Sequence, residues 1–68
     1  LRDRFGLSEA EAAVSIALSD GHPPTRIAED RQVSIHTVRA QLKSALAKTG
    51  THRQADLVGL IERLRARP

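Results

Sequence analysis

Apolar residues recur along the chain in four stretches with the 3.6-residue spacing of amphipathic helices, and no stretch alternates in the way a strand does. The third stretch is the clearest. From Ile35 to about Thr49, Ile35, Val38, Leu42, Ala45, Leu46 and Thr49 fall on one stripe, while His36, Arg39, Ala40, Lys43 and Ala47 fall on the other side. The first stretch, from Glu9 to about Ser19, opens with the signature of a capping box. Ser8 stands at the N-cap with Glu11 three residues on, Leu7 and Ala12 are placed to staple it, and Gly21 marks its stop. A short second helix follows, with Pro24 at a first helical position and Ile27 and Ala28 on the buried side. Gln32 and Val33 make a tight turn, Ser34 caps the third helix and Gly50 ends it. Thr51 with Gln54 reads as a second capping box, opening a fourth helix with Leu57, Ile61 and Leu64 on one stripe. The pattern therefore predicts an all-α domain of four helices, with neither repeat nor low-complexity segment.

Length limits what such a fold can do. With 68 residues the chain forms one domain, spanning residues 1–68, and a domain of that size buries only about 60 % of its unfolded surface. There is no room for an enclosed active site. Hydrophobic residues at 40 % and charged residues at 28 % fit a folded domain rather than a disordered tail. One Phe and no Trp or Tyr leave the core to Leu, Ile, Val and Ala. The lack of cysteine removes disulfides and thiolate metal sites and is compatible with a cytoplasmic setting. No apolar run is long enough for a signal peptide or a membrane span. The chain opens at Leu1 and contains no Met, as expected of a piece of a longer protein.

Charge changes the picture more than composition does. A net +3 hides an asymmetry: residues 1–30 hold three basic and six acidic side chains, and residues 31–68 hold eight basic and two acidic ones. Residues 33–55 contain Arg39, Lys43, Lys48 and Arg53 and no acid at all. An ordinary solvated helix mixes signs, because Glu to Lys pairs four residues apart add stability. An acid-free face instead points to a polyanionic partner, with a merely solubilising face as the plain alternative. Histidines 22, 36 and 52 do not have metal-ligand spacing. Glu11 has no nucleophile or second carboxylate placed near it, so its expected role is capping at the rim of the core rather than catalysis. No cofactor or enzymatic site is expected.

A short helix, a tight turn and a longer basic helix make the helix-turn-helix order, in which the second helix of the pair enters the major groove. The sequence here resembles the carboxy-terminal DNA-binding domain of LuxR-type (GerE-type) bacterial transcription regulators. The resemblance falls, without a gap, on Leu7-Ser8, Glu11, Val14, Gly21, Ile27-Ala28, Val33-Ser34, Thr37-Val38-Arg39, Gln41-Leu42, Lys48 and Gly50. The chain departs from that pattern at Pro23, where a Ser or Thr cap is common, at Arg31 for Leu, at Gln32 for Gly and at Gln41 for His. Thr49 and Thr51 stand in place of Leu and Val.

The resemblance implies sequence-specific binding of double-stranded DNA, with Arg39, Ala40 and Lys43 reaching base edges. Arg39 suits a bidentate contact to guanine, Lys43 a point-charge contact, and Ala40 leaves room for a thymine methyl. Ser34, His36, Thr37, Gln41, Ser44 and Lys48 form the set expected on the sugar-phosphate backbone, positioning without specifying. Ile27, Val33, Val38 and Leu42 are expected in the core between the two helices. The stem of Arg31 is expected over the core with its head in water, near Asp30 or a phosphate. In related regulators the fourth helix pairs two copies, which implies a weak homodimer through Leu57, Val58, Leu60 and Ile61 on an inverted repeat. Two other readings of the same pattern are a sigma-factor-like promoter-reading domain and a helical protein-interaction module with a basic face for an acidic partner.

Overall fold

The structure, a computed structural model, describes residues 5–66. Among the described residues four helices build an all-α domain: α1 (Glu9–Ser19), α2 (Pro24–Arg31), α3 (Ile35–Thr49) and α4 (Gln54–Ala66). No strand occurs among the described residues. Arg67, the last basic residue of the fourth helical stretch, lies outside them.

Each boundary has a local cause. At the start of α1 the Ser8 hydroxyl accepts the Glu11 N–H at 3.1 Å while Glu11 Oε1 accepts the Ser8 N–H at 2.9 Å, so two otherwise orphaned amides are satisfied reciprocally. Leu7 is buried and Ala12 packs against the core, as a staple requires. The start of α2 carries Pro24 in its first turn and no side-chain cap on Pro23. The Ser34 hydroxyl accepts the Thr37 N–H at 3.1 Å to open α3. Three helices close alike, each by an N–H bonded five residues back: His22 to Ala17, Val33 to Ala28 and Thr51 to Leu46. That closure needs a left-handed residue, supplied by Gly21 (φ 96°), Gln32 (φ 57°) and Gly50 (φ 70°). Gln32 occupies it with a side chain, at a steric cost glycine does not incur.

Helix α1 lies at the centre, packing mainly on α3 and α4, while α2 packs mainly on α3. Its buried stripe is Glu11, Val14, Ser15 and Leu18, so an acid sits on the core face. Ser15, fully buried, donates to the Glu11 carbonyl at 2.8 Å, which removes the desolvation cost of its hydroxyl. Opposite stand Ile27 and Ala28 of α2, Val38, Leu42 and Ala45 of α3, and Leu57 and Ile61 of α4. Each large aliphatic side chain so buried contributes about 1.5 to 3 kcal/mol.

Three sequence expectations are corrected here. Val33 is not in the core but 36 % exposed, because the left-handed Gln32 turns the chain just before it and Ile35 packs on the core instead. The second capping box does not form. Helix α4 starts at Gln54, two residues later than a Thr51 cap requires, and the Thr51 hydroxyl turns back to Thr49 Oγ1 at 3.0 Å. Asp30 pairs with Arg26 one helical turn earlier, at 3.4 Å, rather than with Arg31, which is exposed.

Candidate nucleic-acid interface

Because Val38, Leu42 and Ala45 anchor one side of α3 in the core, the helical repeat turns His36, Arg39, Ala40, Lys43 and Ala47 outward, and all five are exposed. The helix contains no acid. A short helix, a turn over residues 32–34 and a longer packed helix thus hold this face clear of the rest of the fold.

The basic side chains divide into two groups. Arg26, Lys48 and Arg65 are ion-paired, with Asp30, Glu11 and Asp20 respectively. Arg31, Arg39, Lys43, Arg53 and Arg63 make no ion pair among the described residues and are exposed. Arg39 and Lys43, one turn apart on α3, therefore carry uncompensated charge into solvent, the condition under which a cation is available to a phosphate or a base edge. At the start of the helix the Ser34 and Thr37 hydroxyls lie 3.1 Å apart and are exposed beside a first turn free of acid. That turn is an anion-compatible surface, since a helix N-terminus carries positive partial charge.

The set expected on the DNA backbone is not uniform. Ser34, His36 and Thr37 are exposed, whereas Gln41 and Ser44 are half-buried. The Gln41 Oε1 is buried with no hydrogen-bond partner. Lys48 is tied back to the scaffold, its Nζ 2.7 Å from Glu11 Oε1. The Glu11 side chain is only 11 % exposed. It is held well below the usual carboxylate range, at about 2, by the Lys48 ammonium first, then by the Ser44 hydroxyl and the Ser8 N–H, against an opposing effect of burial. Glu11 therefore has the expected capping role and a further one, joining the start of α1 to the end of α3. Sequence spacing does not reveal that link, since the partners are 37 residues apart.

On α4, Leu57 and Ile61 are fully buried in the domain's own core and offer no surface to a second copy. Their stripe is consumed by α1, so of the residues expected to pair copies only Val58 and Leu60, both half-buried, retain accessible surface. A second link unseen in the sequence closes this end of the domain. Arg65 Nη1 donates to Asp20 Oδ1 at 2.6 Å and to Ser19 Oγ at 3.1 Å, joining the last turn of α4 to the end of α1.

Among the described residues no group of three or more His, Asp or Glu side chains is placed to hold a metal ion, and no helix is long and apolar enough to cross a membrane. No family model, curated protein or solved structure matches the chain.

Proposed function

We propose that this domain binds double-stranded DNA, with α3 in the major groove, as part of a LuxR-type transcription regulator. The observation that carries the reading is the outward face of α3: acid-free, exposed, and bearing Arg39 and Lys43 with no ion-pair partner among the described residues. A face of this kind on the second helix of a helix-turn-helix pair has the dimensions and charge to meet base edges flanked by phosphates. Arg39, Ala40 and Lys43 are the base-reading residues in this proposal. Ser34, His36 and Thr37 hold the backbone at the start of the helix, with Gln41 beside them.

Counterion release gives the test. Neutralising two to four phosphates per domain corresponds to a log-log salt slope of about −2 to −4, with nonspecific affinity about micromolar or weaker at physiological salt. Titration of a labelled duplex across a salt series measures both quantities. Binding insensitive to salt, or none at low salt, rules the proposal out. On an inverted repeat, two recognition helices about 34 Å apart would seat two copies, and Val58 and Leu60 are the α4 side chains left to couple them. A monomer in free solution and cooperative occupancy of the repeat are expected. Independent filling of the half-sites removes α4 from the assembly.

A further inference from the structure

The ends of α3 treat their cations differently. Arg39 and Lys43 are unpaired, whereas Lys48, five residues beyond Lys43 and 39 % exposed at its side chain, is held by a carboxylate from another helix at 2.7 Å. Nine residues separate Arg39 from Lys48, about two and a half turns at 3.6 residues per turn, so the two leave α3 on opposite edges of its exposed face. Lys48 occupies the edge that faces α1. Glu11 is not a passing surface partner. It is buried, fixed by the Ser8 N–H at 2.9 Å, and stands on the core stripe of α1, so it cannot move away with the lysine.

We propose that Glu11 acts as an internal counterion that withholds Lys48 from nucleic acid, so that contact to an arbitrary DNA backbone is made without it and discrimination rests on Arg39 and Lys43. The inference depends on the DNA-binding reading and gives it a specificity device. Every phosphate contact strengthens binding to all sequences alike, whereas a base contact strengthens one. A cation neutralised from within the fold contributes to neither. Glu11 is thus a positioning residue: it touches no DNA and acts through Lys48.

The experiment is a double-mutant cycle read on the salt slope with a duplex of mixed sequence. Glu11→Gln keeps an acceptor for the Ser8 N–H while removing the charge, and Lys48→Met keeps the aliphatic stem. In the unaltered background, Lys48→Met is expected to leave the slope unchanged and the affinity within about twofold. Glu11→Gln is expected to steepen the slope by about 0.9, the value of one added phosphate contact, and to tighten binding several-fold. Lys48→Met made on top of Glu11→Gln removes that gain. Simple addition of charge would give Lys48→Met the same effect in both backgrounds, so the non-additivity is the signature of withholding. A slope made shallower by about 0.9 in the single Lys48→Met variant overturns the proposal, because Lys48 would then already be on a phosphate while the DNA-binding reading stands. Circular dichroism confirms that each variant is folded. If Glu11→Gln is not, Lys48→Met alone decides between the two outcomes. Failure of the unaltered domain to bind any duplex removes the DNA-binding reading, and withholding with it.

Discussion

The start and the end of α3 are built from similar residues and are used differently. At the start, Ser34 and Thr37 satisfy each other and the backbone, and the cations that follow them, Arg39 and Lys43, face solvent without a partner. At the end, Lys48 is spent on Glu11, and Thr49 bonds the Ala45 carbonyl at 2.8 Å and Thr51. One end is fastened to the scaffold so that the other can stand clear of it. Charge alone does not mark a binding surface, then: where the compensating acid sits decides it, and that acid lies in a distant part of the chain.

Acid is expected to break the fastened end with the largest effect. Glu11 falls from the usual 4.5 to about 2 in the folded domain. Because the folded value is the lower one, its contribution is complete above about pH 4.5 and is lost as pH falls through about 2. The linked stability is about 3 kcal/mol. A 68-residue domain has a total of about 3 to 10 kcal/mol, so a large loss of stability is expected across this window. Urea titrations at pH 5 and pH 2.5 check it, and a loss as large in Lys48→Met as in the unaltered protein would show that the pair is not its cause.

At the open end, Arg39→Ala is expected to weaken binding to a selected DNA site by about 1 to 3 kcal/mol and to flatten preference at one or two base pairs. Its melting temperature should not change, since Arg39 has no partner in the fold to lose. Binding-site selection with this variant, set beside Lys48→Met, sharpens the contrast between the ends. A variant that retains full sequence preference would move base reading away from Arg39.

A smaller effect is expected from Ser34→Ala, which takes the side-chain acceptor from the Thr37 N–H and leaves it only the Ser34 carbonyl at 3.1 Å, at a cost of about 1 kcal/mol in thermal unfolding. No loss would mean that the Ser34 carbonyl or water is enough for that N–H. The smallest change should be a gain. Gln32→Gly, at the turn leading into α3, relieves a left-handed backbone that Gly50 already meets at the other end, and is expected to stabilise by about 0.5 to 1 kcal/mol, less whatever entropy the unfolded chain gains. A destabilised Gln32→Gly would show that the glutamine side chain makes up for its strain.

Local chemistry was legible in the sequence and distant pairing was not. The α1 capping box, Pro24 in the first turn of α2, the Ser34 cap and the left-handed stop at Gly50 all follow from residues within one turn of one another, and so does the outward face of α3. The Arg26–Asp30 pair, four residues apart, was legible by the same rule, and Arg31 drew attention from it. Val33 was misplaced because a single left-handed residue before it reverses which side of the turn faces the core. The links from Glu11 to Lys48 and from Asp20 to Arg65 depend on how α1 packs against α3 and α4, which periodicity does not specify. The outward face of α3 could therefore be read from the sequence, whereas the engagement of Lys48, Leu57 and Ile61 by the scaffold could not.

The connections between helices, residues 20–23, 32–34 and 50–53, are all short, and each begins at or beside a closing bond to the helix before it. The domain has no slack with which to hinge. Under the DNA-binding reading it must dock as one rigid piece, and little conformational entropy is lost from its backbone when it does. The adaptation falls on the rotamers of Arg39 and Lys43 and on the duplex. Sites whose base steps widen or bend easily would then be preferred even at positions that no side chain touches.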